Sequence, residues 1–183
     1  MQTPPAVTVD PLPRQVVFVG AMGSGKTTIG TRVAAVLERP FVDNDDGLVR
    51  TVGMSAAELA ARDGIDALHR AEAATVLDEL QRAEKSVIAA AASTITDPTV
   101  RQALSDRAWV VWLHADAYSL AARLAESPTR PFRDRDPAHL VAEQSRERDA
   151  LFARAADMTV DTGDARVDDV VTSVVAAVHQ RGL

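Results

Sequence analysis

The sequence predicts an α/β fold with three layers, in which a parallel sheet has helices on both faces. Five short runs of β-branched and aromatic residues alternate with helical patterns of about ten residues or more. The runs are nearly all apolar, which is typical of strands buried on both sides. The length of 183 residues suits one domain with a continuous core.

The predicted strands are 16–19, 41–42, 87–90, 109–113 and 158–160. The predicted helices are 26–37, 66–82, 116–124, 137–156 and 167–181. Residues 1–14 are rich in proline and poor in apolar side chains, and we predict a flexible leader there. The remaining 15–183 form the single predicted domain. Within it, the segment at about 126–137, ESPTRPFRDRDP, lacks apolar periodicity and is predicted to be a lid.

Composition excludes several classes of function. The chain has no cysteine, so disulfides, thiolate metal sites and cysteine nucleophiles are excluded. Its net charge of -6 argues against nucleic acid or an anionic membrane as a partner. No apolar run approaches the length of about 18 residues that spans a bilayer. We therefore expect a cytoplasmic protein, and a monomer.

The first strand leads into a phosphate-binding pattern. Gly20, four residues, then Gly25, Lys26 and Thr27 match G-x-x-x-x-G-K-[ST] between a strand and a helix. Glycine lets the backbone approach phosphates, and Lys26 supplies a compact charge in a chain with only two lysines. A threonine hydroxyl at this place is suited to Mg²⁺. The predicted nucleotide-binding residues of this loop are Gly23, Ser24, Gly25, Lys26, Thr27 and Thr28.

The second strand ends in two carboxylates, Asp43 and Asp45, on either side of Asn44. Residues at the carboxyl ends of parallel strands line the ligand crevice, so one could lie near hydrated Mg²⁺ and the other near an acceptor hydroxyl. A solvated acidic turn explains the same residues, because Asp46 and a glycine follow. The pattern alone leaves both interpretations open.

Together these motifs resemble the shikimate kinase family, which has a P-loop fold like that of nucleoside-monophosphate kinases. The resemblance spans about residues 15–180. It rests on GAMGSGKTTIG at 20–30, DND at 43–45, TVGMS at 51–55, TRP at 129–131 and Arg148 in a later helix. It implies ATP as co-substrate, Mg²⁺ as cofactor and a small hydroxylated acceptor as partner.

The resemblance also implies residue roles. On the nucleotide side, Lys26 would hold the outer phosphates and Arg123 would stack on adenine. Thr27 would bind Mg²⁺ directly, and Asp43 would bind it through water. On the acceptor side, Asp45 would orient the hydroxyl and Arg148 would pair with the acceptor's carboxylate. Arg130 would close with the lid onto the transferring phosphoryl group. Such roles suit phosphoryl transfer, where alignment and charge neutralisation dominate.

The acceptor side departs from the family at two places. An F-R-x-x-E element supplies a carboxylate-clamping arginine in the family, and here His69 stands at that position, with Arg148 nearby favouring neutral imidazole. Three consecutive glycines that touch the substrate are replaced by Ala91, Ala92 and Ser93. Each added Cβ narrows the pocket and forbids any positive φ that glycine provided.

The sequence therefore favours an ATP-dependent kinase acting on shikimate or a related polyol. Two alternatives stay open: a kinase for a different hydroxylated acceptor, or a nucleotide-binding relative with little turnover.

Overall fold

The computed structural model describes residues 15–126 and 136–183. The predicted leader and nearly all of the predicted lid, Arg130 included, lie outside these residues. Across the described residues, no helix is long and apolar enough to cross a membrane.

Five strands form one sheet in the order β2-β3-β1-β4-β5, and every neighbouring pair is parallel. The strands are β1 Gln15–Val19, β2 Phe41–Asp43, β3 Val87–Ala89, β4 Ala108–His114 and β5 Met158–Asp161. The helices are α1 Lys26–Leu37, α2 Asn44–Val52, α3 Ala56–Asp63, α4 Ile65–Leu80, α5 Pro98–Arg107, α6 Ala117–Glu126, α7 Pro137–Ala155 and α8 Val167–Gln180. A 3₁₀ turn, Thr94–Thr96, follows β3.

All five predicted strands and all five predicted helices are confirmed, with ends that differ by no more than two residues. Three short helices, α2, α3 and α5, were not predicted. Each begins at a capping side chain: Asp43 caps α2, Ser55 caps α3, and Asp97 caps α5 ahead of a proline.

The alternation of side chains along β1 builds the two cores. Val16 and Phe18 point to one face, where α1 and α8 pack, and Val17 and Val19 point to the other, where α4, α5 and α7 pack. Because both faces are covered, the predicted three-layer architecture is confirmed. A separate small cluster of Leu48, Leu59 and Leu68 joins α2, α3 and α4 beside the sheet.

The carboxyl ends of β1, β2 and β3 meet at one edge of the sheet, where α1 and α2 begin. Since β1 is central, and the consecutive strands β3 and β4 lie on opposite sides of it, a crevice opens there. The phosphate-binding pattern and the acidic pair both lie at this edge.

Candidate active site

The phosphate loop, defined here as residues 20–27, connects β1 to α1 in a conformation that needs glycine at fixed places. Gly20 has φ 145°, and a Cβ there would lie 2.4 Å from the carbonyl oxygen of Leu113. Gly25 has φ 94° and caps α1 without any side-chain hydrogen bond. The first N–H groups of α1 are therefore not capped by a side chain, and a helix end of this kind is suited to an anion.

Lys26 begins α1 and folds back over this loop. Its Nζ donates hydrogen bonds to the carbonyl oxygens of Gly20 and Ala21, each at 2.9 Å. Burial lowers the pKa of Lys26 to about 8, against the nearby charges of Asp43 and Asp45, which raise it. The ammonium thus lies inside the loop, where a phosphate would take the place of its two carbonyl partners.

Thr27 and Asp43 face each other across the end of the sheet, with Thr27 Oγ1 donating to Asp43 Oδ2 at 2.8 Å. A hydroxyl and a carboxylate oxygen are the hard ligands that Mg²⁺ accepts, so the two residues fit the ion. The described residues contain no cluster of three or more acidic, histidine or cysteine side chains that could hold a metal. The pair therefore fits an ion that arrives with phosphates rather than one caged by protein alone.

Asp43 has a second contact that explains the acidic motif. Its Oδ1 accepts the Asp45 N–H at 3.0 Å and so starts α2 directly after β2. This turns the Asp45 side chain into the crevice. The walls of the crevice raise the pKa of Asp45 by desolvation, and the charge of Asp43 raises it further, against the opposing effect of Lys26. The motif is a strand end and a helix cap, so the segment is not a turn, although Asp45 and Asp46 are both exposed.

One cavity of about 1120 Å³ lies over this edge of the sheet. It brings together every predicted site residue among those the structure describes. The lining includes Gly23, Ser24, Gly25, Lys26, Thr27, Thr28, Asp43, Asp45, His69, Ala91, Ala92, Arg123 and Arg148.

Arg123, on α6, lines the cavity beside the phosphate loop. Its guanidinium donates to the carbonyl oxygens of Thr162, at 2.5 Å, and Gly163, at 2.9 Å, in the turn after β5. A longer contact of 3.4 Å reaches the carbonyl oxygen of Gly23. The planar group therefore holds one position on the wall, which is what stacking on a base requires.

The same cavity is lined by a buried arginine and by a histidine near it. Arg148, on α7, is 9% exposed, and its Nε has no hydrogen-bond partner among the described residues. His69, on α4, lines the same cavity. Burial lowers the pKa of His69, and Arg148 lowers it further, against a smaller opposite effect of Asp66. The prediction of neutral imidazole is therefore confirmed in direction, with burial as the larger cause.

The three residues that replace glycines have no positive φ, in agreement with the prediction. Among the described residues, only Glu38 has a positive φ without being glycine, so the chain needs no such geometry at Ala91, Ala92 or Ser93. Instead, Thr94 N–H donates to Ala91 O, which starts the 3₁₀ turn. The narrowing by Ala91 and Ala92 still applies, because both line the cavity.

Sequence reasoning missed two parts of this cavity. Glu72, one turn after His69 on α4, is buried against the cavity. Ala56, Ala57, Ala60 and Ala61 of α3 form an apolar wall. The S-x-x-E capping box at Ser55 and Glu58 was the available signal for that helix.

A parallel sheet whose central strand opens into this phosphate loop, with an acidic pair on the neighbouring strand, defines a P-loop kinase of the nucleoside-monophosphate-kinase-like fold. The family model described as "Shikimate kinase" matches residues 22–179. The chain belongs to the shikimate kinase family and is a phosphotransferase.

Individual relatives agree with this assignment. The shikimate kinase of Burkholderia pseudomallei is 32% identical over 169 residues, which cover 92% of this chain and 91% of that protein. The shikimate kinase of Dechloromonas aromatica is 34% identical over 149 residues, or 81% of each chain. The structure of the Acinetobacter baumannii shikimate kinase in complex with shikimate matches with a TM-score of 0.81 at 24% identity, covering 94% of this chain and 97% of that one.

Proposed function

We propose that the protein transfers the γ-phosphoryl group of ATP to a hydroxyl of shikimate. The observation that carries the proposal is the shared cavity: it is bordered by the phosphate loop, by Asp45 and by Arg148, whose Nε has no hydrogen-bond partner among the described residues. The cation of the phosphate loop is complementary to a triphosphate, and the Asp45 carboxylate is complementary to an acceptor hydroxyl. The Arg148 guanidinium is complementary to an acceptor carboxylate.

At the nucleotide end, Lys26 and the N–H groups at the start of α1 bind the β- and γ-phosphates, and Arg123 stacks on the adenine. Thr27 and Asp43 would hold Mg²⁺, Asp43 through water. When bound, Mg²⁺ neutralises the oxygen charge that develops on the phosphates.

At the acceptor end, Asp45 accepts a hydrogen bond from the reacting hydroxyl and aligns its oxygen with the γ-phosphorus. As the new O–P bond forms and the bond to the β-phosphate oxygen breaks, the hydroxyl proton passes to Asp45 and ADP leaves. The raised pKa of Asp45 makes it a better proton acceptor than an ordinary aspartate. Arg148 pairs with the carboxylate and fixes the ring of the acceptor.

His69 and the alanines at 91 and 92 are specific objections to shikimate, because they weaken a carboxylate clamp and narrow the space. Family membership and Arg148 still favour it. A different hydroxylated acceptor, or nucleotide binding with little turnover, would appear as outcomes of the test. The monomeric state and cytoplasmic location stay predictions.

The test measures ADP formation from ATP with shikimate, quinate, gluconate and uncharged polyols. We expect shikimate to stimulate ADP formation most. Asp45→Asn should lower kcat at least a hundredfold, within the range of general-base contributions of about 10²–10⁴, and keep ADP affinity. Asp46→Asn, an exposed neighbour, is the matched control and should stay near wild type. Stimulation by another acceptor alone, or by none, would overturn the proposal.

A further inference from the structure

Ser93 and Glu72 meet at the acceptor end of the cavity, each only 7% exposed. The Ser93 hydroxyl donates to Glu72 Oε2, which ties α4 to the end of β3. The family pattern has glycine at the serine position, and glycine has no hydroxyl with which to make this bond. The contact is therefore a feature that this chain adds to its pocket.

Arg148 lines the same cavity, and its Nε has no hydrogen-bond partner among the described residues. None of the ion pairs within the described part of the chain joins Arg148 to Glu72. The charges nevertheless influence each other. Burial lowers the pKa of Arg148, whereas the charges of Glu147, Glu72 and Glu143 raise it, and Arg148 in turn lowers the pKa of Glu72. A buried guanidinium with an unpartnered nitrogen is unfavourable until an anion joins it.

We propose that Ser93 is a positioning residue for acceptor recognition: its hydroxyl holds the Glu72 carboxyl at the end of β3, so that Arg148 stays free for the acid group of the acceptor. The inference rests on the proposed function, in which Arg148 pairs with that acid group. Without the hydroxyl, Glu72 can turn towards Arg148, neutralise it and repel the incoming carboxylate.

The competition depends on the charge of Glu72. Burial raises the pKa of Glu72 to about 7 and the charge of Asp45 raises it too, while the Ser93 hydrogen bond and Arg148 lower it. His69, three residues earlier on α4, is neutral near pH 7 because its own pKa is lowered. Glu72 therefore becomes fully charged, and able to compete with the acceptor carboxylate for Arg148, only as the pH rises through about 7.

The test is a double-mutant cycle on steady-state kinetics with shikimate. We expect Ser93→Ala to raise the KM for shikimate about tenfold at pH 8, with kcat and the KM for ATP within twofold of wild type. In a Glu72→Gln background, which removes the competing charge, the same change should alter KM less than twofold. The effect of Ser93→Ala should also shrink as the pH falls from 8 to 5.5.

Ser86→Ala is the matched control, because Ser86 is another buried serine whose hydroxyl donates to a side chain, Gln15, ahead of β3 and away from the active-site cavity. It should leave the KM for shikimate unchanged. An unchanged KM in Ser93→Ala, or an equal rise in the Glu72→Gln background, would overturn the inference while wild-type turnover stands. Absence of turnover in the wild type would instead overturn the proposed function.

Discussion

Lys26 is the residue whose surroundings change most when a phosphate arrives. In the structure its ammonium donates to two main-chain carbonyl groups, and burial keeps its pKa near 8. A triphosphate places negative charge against it and raises that pKa. At any pH at which Lys26 of the free protein is partly deprotonated, nucleotide binding must therefore be accompanied by proton uptake.

We expect ADP affinity to be constant in the range just below pH 8 and to fall as the pH rises above 8. The pKa of Lys26 is higher in the complex than in the free protein. The favourable contribution of its charge to ADP binding is therefore complete below the pKa of the free protein and is lost above it. Titration calorimetry at pH 8.5 in buffers of different ionisation enthalpy should show proton uptake. Lys26→Arg should bind more weakly without that uptake, since guanidinium keeps its proton. Equal proton uptake in this variant would contradict the assignment.

His69 allows a second prediction at the residue scale. A neutral imidazole offers the acceptor carboxylate no charge, whereas an arginine there would add a charged hydrogen bond worth about 1.5–3 kcal/mol. We expect His69→Arg to lower the KM for shikimate about tenfold while the KM for ATP stays constant. Arg70→His, an exposed change on the same helix, serves as the control. If KM does not fall, the rest of the pocket is shaped for another acceptor.

At the scale of elements, α3 depends on the residue that caps its start, Ser55. Ser55 Oγ accepts the Glu58 N–H, and Glu58 Oε2 accepts the Ser55 N–H, so the two ends of the box satisfy each other. The helix is only eight residues long and buries only Leu59 deeply. In so short a helix the cap adds to the stability that the packing of Leu59 supplies.

We expect Ser55→Ala to cost about 1 kcal/mol in the free energy of unfolding and to raise the acceptor KM, because α3 supplies the alanine wall. Urea unfolding and steady-state kinetics measure the two effects. Ser173→Ala, an exposed serine in the middle of α8, should change neither. A Ser55→Ala protein with normal stability would show that packing rather than capping holds α3.

The sequence predicted the elements that have a repeating apolar pattern. It missed the short helices α2, α3 and α5, whose main sequence signal is a capping residue at the start. β1 and α1 were placed correctly because a buried strand, a glycine loop and a helix follow one another locally. The Asp43–Asp45 hydrogen bond that starts α2 was hidden by turn-like residues. Ser93 and Glu72 lie 21 positions apart, and only the packing of α4 against the end of β3 brings them together. The orientation of Arg148, whose Nε is left without a partner, is likewise a property of the folded molecule.

At the scale of the whole molecule, the phosphate loop is joined to every layer. It continues β1, whose residues are almost fully buried between the two cores, and it leads into α1. Ala21 of the loop packs against Leu120 and Leu124 of α6 and Val141 of α7. A ligand held by this loop therefore stabilises the packed native state and has no equivalent site in the unfolded chain.

We expect ADP with Mg²⁺ at about one hundred times its Kd to stabilise the protein by about 2.7 kcal/mol. For a chain of this size that corresponds to a rise of roughly 5–10 °C in Tm. Differential scanning fluorimetry of the full chain measures the rise. Asp45→Asn should keep it at the same ligand concentration, because Asp45 acts on the acceptor, whereas Lys26→Met should lose most of it. A wild-type Tm that does not respond to ADP would mean that residues 20–27 do not bind nucleotide, and the kinase assignment of this cavity would be wrong.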